Sequence, residues 1–440
     1  MNIKHRRLIT LIFISIFFIV TPILLLYTAG YRYNLKKLSL QKTGAMVIKT
    51  EPSGALIFFN GQSTKDYTPT RINNVLPDEY LVSAEKEGYY SWQKKMLFES
   101  QKTTFAEDIF LFKIFTSEPV SEEKYSRANL NEKKFGIYST FEKNQTVFFL
   151  LIDSSAKSKQ LFSLNGDIQD WRIFWDNEQT VGLFTTKNEL WQIKTGIPRS
   201  AEKLPFTSPT LQKALFYENE LYLLIDNRIQ KYQNNKLVTI YQADTFEKLL
   251  DFSISNNQLF IVKNLLQKTV LTKEPLNETG QIEQKSLTLK NENSRLLGHY
   301  GNKILLVDNE ERNLFVLNES IDRIEFTKKD ILGFDFLTDK NRLLIYTGQE
   351  ISFLNLSDEN LSEKLLTRFS ENIQKVLWHA SGNYIFILQN NIIKIFEVDD
   401  RNGHFSLDLP ENDITDFTVD AKSETLILSK EQALWSYEMN

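Results

Sequence analysis

Histidine is the first residue type to weigh, because imidazole is the usual general base and metal ligand near neutral pH. The chain has four, His5, His299, His379 and His404, and none stands at zinc-ligand spacing from another His, Asp or Glu. His379 follows Trp378 at the turn of an expected hairpin, which places it in a surface loop rather than in a ligand set. Asp308-Asn309-Glu310-Glu311 offers oxygens to a hard cation, but the alternating Asp/Asn order with a central glycine that a calcium loop needs is missing. A solvated turn is the expectation there. With only 16 glycines the chain carries neither a phosphate-binding loop, nor a dinucleotide fingerprint, nor a Gly-x-Ser-x-Gly nucleophile turn.

Carboxylates are harder to dismiss, because acid and base groups can converge from distant segments. Asp335, set between Phe334 and Phe336, is the most unusual of them, and alternation along its strand predicts an outward-facing polar position. Trp92, Trp171, Trp175, Trp378 and Trp435 could stack on sugar rings, but aromatic residues at strand positions more commonly fill cores. Asn144, Asn277, Asn318 and Asn355 fit the Asn-x-Ser/Thr pattern, as expected by chance in a chain so rich in Asn. These patterns assign no catalytic, cofactor-binding or metal-binding residue, and no cofactor is expected.

The elements that would have to position such residues come next. The 440 residues are 42% apolar and 25% charged, enough for real cores and for two or three domains. A net charge of −4 disfavours a broadly basic, nucleic-acid-binding surface. Seven of the 52 Lys and Arg lie in positions 1–43, where Asp and Glu are absent, so the rest of the chain is acidic. Zero cysteines exclude disulfides, thiolate zinc sites and cysteine nucleophiles together.

Residues 8–27, from Leu8 to Tyr27, contain no charge and at ~1.5 Å per residue reach about 30 Å, the thickness of a bilayer's hydrocarbon core. The segment shows no polar face, which a buried soluble helix would have. Lys4, Arg6 and Arg7 crowd its start and Arg32, Lys36, Lys37 and Lys42 follow it. Charge alone is nearly balanced, and a cytoplasmic amino terminus is favoured because long following domains translocate largely regardless of charge. The run also has the shape of a signal peptide. Lacking an Ala-x-Ala cleavage site, it reads better as an uncleaved signal anchor.

After a basic connector at 28–43, turn signals become dense. Gly44 opens an alternating run to Thr50, Pro52-Ser53-Gly54-Ala55 turns the chain, and Ala55 to Phe59 reads as a strand closed by Asn60-Gly61. Thr68-Pro69, Pro77 before Tyr80, and Gly88-Tyr89 follow, with strands expected at Leu81–Glu85, Ser91–Glu99 and Phe105–Phe112. This order resembles the PEGA domain, a small all-β module, with Ser53 in place of the Glu of the name and Asp78-Glu79 where Pro-Gly is common. The resemblance implies a cell-envelope or surface context and a noncatalytic binding or structural role.

From about residue 130, Asn-rich turns separate short Phe-, Leu- and Ile-rich runs, and a repeat emerges. Anchored on the second strand of each copy, it falls at Val147, Val181, Leu221, Leu259, Ile304, Leu343, Ile385 and Leu426, with a mean step of about 40 residues. Such a period with two-residue alternation matches four-stranded propeller blades rather than helical solenoids. It resembles WD40-like propellers without their Trp-Asp signature. Eight blades are expected, with seven as the alternative. The last copy stops after three strands, and a fourth drawn from residues 116–130 would close the ring.

The fold class expected is therefore mainly β: a cytoplasmic tail at 1–7, a transmembrane helix at 8–27, the connector at 28–43, a small PEGA-like β-sandwich at 44–113, a linker or closing strand at 114–130 and a β-propeller at 131–440. The function expected is that of a single-pass cell-membrane protein, its large carboxyl-terminal region extracytoplasmic, binding an envelope protein or glycan partner without catalysis. The alternative is an extracytoplasmic propeller hydrolase or lyase acting on polysaccharide.

Overall fold

The computed structural model describes residues 3–440 apart from 36–37, 121–123, 131–135, 153–156, 177–179, 188, 196–199, 209, 277–284, 290–292 and 421. For residues 3–8, 152 and 157 it describes the backbone alone. Lys36, Lys37, Asn277 and the side chains of Lys4, His5, Arg6 and Arg7 thus lie outside the described residues. The chain divides into two units, residues 1–115 with 397–406 and 439–440, and residues 116–396 with 407–438.

In the first unit α1 (Ile3–Thr28) continues through Pro22. Its apolar side chains from Ile9 to Tyr27 are almost all exposed. Gly30, at φ +82°, ends the helix, its N–H donating to the Tyr27 carbonyl at 3.2 Å. The connector then forms a hairpin of β1 (Tyr31–Asn34) and β2 (Ser39–Lys42).

Seven strands follow in two sheets: β3 (Gly44–Glu51), β4 (Leu56–Phe59), β5 (Gln62–Tyr67), β6 (Thr70–Val75), β7 (Glu79–Glu85), β8 (Trp92–Leu97) and β9 (Thr103–Phe110). One sheet has the order β6-β3-β9 and the other β5-β4-β7-β8, the two-sheet module expected for this region. Strand β8 alternates cleanly, burying Trp92, Lys94 and Met96. The buried Lys94 is paired within this unit, its Nζ lying 3.1 Å from Glu397 and 3.5 Å from Asp399. Asn60 and Gly61, at φ 49° and 77°, make the two-residue turn into β5. Strands β5 and β6 were not legible in the sequence, since both are polar sheet edges without apolar alternation.

The second unit contains, among its described residues, eight four-stranded antiparallel sheets in sequence order, an eight-bladed propeller. The first strands of blades 1 to 8 are Arg127–Asn129, Trp171–Trp175, Lys213–Tyr217, Glu247–Ser255, Ser294–Tyr300, Gly333–Leu337, Ile373–Trp378 and Ile414–Val419. Seven of the eight anchors of the sequence repeat, Val181 to Leu426, fall on second strands. Val147 falls on the third strand of blade 1, Gln145–Ile152, because that blade starts earlier than expected, with Arg127–Asn129. Apolar side chains of successive blades interdigitate, as where Leu183 and Leu190 of blade 2 meet Ala214 and Leu223 of blade 3. The Asn-rich turns are two-residue hairpins with both φ positive, at Asn234-Asn235, Asn256-Asn257 and Asn390-Asn391, which Asn tolerates better than most residues. Blade 8 is completed by β10 (Ser117–Pro119), which pairs antiparallel with Ala433–Glu438.

Gly44 tests the packing of the first unit, because a Cβ there would stand 2.5 Å from the Glu99 carbonyl oxygen and 2.9 Å from that of Lys102. Gly44→Ala should destabilise this unit by about 1–3 kcal/mol through overpacking against backbone. Gly61→Asn, in a turn where nothing lies within 4 Å of a Cβ, meets only the strain of φ 77°, which Asn bears better than most residues. It should cost less, under about 1 kcal/mol, when both variants are compared in urea unfolding.

Candidate functional site

The first strand of a blade lies innermost, so polar side chains on it decide whether the middle of the propeller can do chemistry. Several of these side chains are engaged with the next blade, while others, such as Glu247 with Lys263 and Thr415 with Ser429, bond within their own. Arg127 donates to the Gln169 carbonyl at 2.7 Å and Arg172 to the Leu211 carbonyl at 2.7 Å. Lys213 pairs with Asp251 at 2.6 Å, and the other Asp251 oxygen accepts the Leu296 N–H of blade 5 at 2.8 Å. Lys375 of blade 7 pairs with Asp416 of blade 8 at 2.8 Å. Between blades 5 and 6 the contact is aromatic, with Tyr300 and Phe336 ring centroids 3.8 Å apart.

Asp335 belongs to this series. The expectation of an outward-facing position is overturned: the side chain is buried, and its Oδ2 accepts the Trp378 N–H at 2.7 Å. Alternation misplaces it because the innermost strand is enclosed on both faces, one against each neighbouring blade. His379 also departs from the surface loop expected. It is buried, its Nδ1 accepts the Ser381 N–H at 3.1 Å, and burial, with a smaller contribution from Lys340, lowers its pKa to about 4. Asp308 forms the expected turn, accepting the N–H groups of Glu310 and Glu311; Asn309, Glu310 and Glu311 are exposed as expected, and Asp308 alone is buried. Trp92, Trp171 and Trp378 are buried as core residues, while Trp175 and Trp435 are half-buried on strands. Asn318 and Asn355 hold their own turns through Asp322 and Asp358, and Asn144 occupies a hairpin turn at φ 62°.

Sequence reasoning missed one pair. Ser253 Oγ of blade 4 and His299 Nε2 of blade 5 lie 2.5 Å apart. Burial pushes His299 down to about 4; Glu319 opposes the shift, and Lys213 and Lys273 reinforce it. A base that weak beside a buried hydroxyl does not activate a nucleophile. The pair joins two blades, and nothing in the spacing of the two residues could have announced it.

A polar cavity of about 710 Å³ is lined by Lys273, Asn302, Glu319, Arg323, Glu359 and Asn360, together with the buried pair Lys303–Glu325 at 2.5 Å. Both charge signs and amides line it, a surface suited to hydrogen-bonding recognition. Among the described residues no group of three His, Asp or Glu could hold a metal ion.

Residues 43–108 match the PEGA domain. No curated protein matches the chain. Among solved structures it is similar to the Dos1 propeller (9% identity, TM-score 0.49, covering 74% of this chain and 95% of that one). It is also similar to BamB from Moraxella catarrhalis (10%, 0.43, 74% and 100%). A third is the Cps50 (Swd1) β-propeller domain of Myceliophteria thermophila (11%, 0.42, 73% and 99%). The propeller assignment itself rests on the order of the sheets. A PEGA domain followed by an eight-bladed propeller is the architecture of this chain.

The two buried histidines give the propeller an acid limit. With folded pKa values near 4 against 6.5 in the unfolded chain, the native state binds fewer protons between those values. Their contribution is complete above about pH 6.5 and is lost as pH falls to about 4, by up to about 3 kcal/mol each. The double variant His299→Gln, His379→Gln should flatten the fall in melting temperature across this window relative to the unsubstituted protein.

Proposed function

We propose that the protein is a membrane-anchored recognition protein: α1 holds it in the bilayer, the amino terminus faces the cytosol, and the propeller binds a protein or glycan partner outside the membrane without chemistry of its own. The observation that carries this reading is the use of the inner-strand charges. Lys213, Asp251, Asp335, Lys375 and Asp416 hold blades to one another, so the middle of the ring is built for rigidity and recognition is left to the connecting loops and the cavity around Arg323. Rigid strands carrying variable loops form a broad binding surface at little ordering cost.

The anchor reading is supported by the length of α1 and by the exposure of its apolar residues from Ile9 onward. In lipid every backbone group of such a helix is satisfied internally, and exposure of Phe13, Phe17 and Phe18 becomes favourable rather than costly. The acidic balance beyond residue 43 suits a region that stands away from an anionic surface.

Protease added to intact spheroplasts should digest the region after residue 43. Protection until the membrane is lysed would overturn the orientation. For recognition, partners crosslinked to the full chain in its own membrane should be lost with the pair Arg323→Glu, Glu359→Lys if the cavity contributes, at unchanged melting temperature; full retention would assign recognition elsewhere.

A further inference from the structure

The hairpin after α1 has its polarity reversed for a ribbon in water. In a two-stranded ribbon, directly paired residues share a face. Tyr33 pairs with Leu40 and Tyr31 with Lys42, while Arg32 pairs with Gln41 and Asn34 with Ser39. The polar face is the one covered. Asn34 is 3% exposed and bonds to Gln41 at 2.9 Å, and Arg32 donates to Asn74 Oδ1 of the PEGA domain at 2.9 Å. The apolar face is open: Tyr33 and Leu40 are each 53% exposed, and at the turn Leu35 and Leu38 reach 80% and 73%.

Nothing about pairing requires this arrangement, and in water it carries an apolar hydration penalty that the reverse arrangement would avoid. The ribbon's location supplies the reason. Its base is bonded to the end of α1: Thr43 N–H donates to the Gly30 carbonyl at 3.0 Å, and Arg32 donates to the Tyr27 carbonyl at 2.9 Å with its guanidinium 3.6 Å from the Tyr27 ring centroid. A four-residue strand reaches only ~13 Å, less than the depth of a bilayer leaflet with its headgroups. Tyr27, Tyr31 and Tyr33 with Arg32 and Lys42 make the composition found where helices leave the hydrocarbon.

We propose that β1–β2 is an interfacial ribbon that lies against the phospholipid headgroups, with Tyr33, Leu35, Leu38 and Leu40 entering the upper acyl region. This rests on the membrane-anchor reading of α1. The ribbon sets the angle at which the chain leaves the bilayer, because one face is held by lipid and the other by Asn74. The occupant is the bilayer that α1 itself spans; a second copy of the chain is the competing outcome.

The chain has no cysteine, so single introduced thiols report their sites without background. Full-length Leu38→Cys, Leu40→Cys, Phe18→Cys and Phe246→Cys, each labelled with an environment-sensitive fluorophore, are placed in nanodiscs of phosphatidylcholine and phosphatidylglycerol. Position 18 should be quenched by mid-chain doxyl lipid. Positions 38 and 40 should be blue-shifted and quenched severalfold more by headgroup-nitroxide lipid than position 246, a propeller residue 80% exposed. Quenching at 18 without quenching at 38 and 40 overturns the ribbon and leaves the anchor standing. Loss of quenching at 18 as well overturns the anchor reading. A blue shift at 38 and 40 without lipid quenching means that another chain covers the face, and this too overturns the proposal.

Discussion

Closure of the ring governs the propeller. A last blade of three strands would end on Ala433–Glu438 with a row of unpaired N–H and C=O groups, an edge that invites association with other chains. Ser117–Pro119 removes that edge, with Ser117 opposite Tyr437 and Pro119 opposite Trp435. The pairing is extended by the Val120 N–H to Leu434 and the Tyr125 N–H to Gln432, at 2.8 and 2.9 Å. Tyr138 and Leu151 of blade 1 then pack against Ile427 and Leu434 of blade 8. Segments more than 300 residues apart thereby enter one core, so the blades cannot mature as a simple linear array.

Within the closed ring, the same location on successive blades serves one purpose by several chemistries. An arginine reaches a carbonyl between blades 1 and 2 and again between 2 and 3. Ion pairs act between 3 and 4 and between 7 and 8, and carboxylates accept a backbone N–H between 4 and 5 and between 6 and 7. A charge on an enclosed strand is tolerable only when paired or hydrogen-bonded, and the next blade supplies the partner. Asp251 and Asp335 are thus residues of assembly, although each looks like a catalytic carboxylate when considered alone.

Much of the architecture is local and was therefore legible. The uncharged run from Leu8, the order of turns from Pro52 to Gly88 and the recurrence of apolar second strands each depend on neighbours within a few residues. Alternation and turn chemistry fix a strand wherever one face is buried. The polar edges β5 and β6 escaped, because a strand that contributes backbone pairing and few apolar side chains leaves no period to read.

The sequence by itself determined the apolar helix, the small β-module, the eight-fold period and the absence of thiol chemistry. Only the tertiary structure decided where polar side chains point. Asp335 meets Trp378 at a separation of 43 residues and Ser253 meets His299 at 46, each about one blade further along the chain. Periodicity establishes that blades recur, but which atoms touch depends on the rotation between neighbouring sheets, set by the packing of all eight against one another. For the same reason His379, in a turn, is buried while Leu38, in another, is exposed. Burial belongs to the assembled elements and not to the residue.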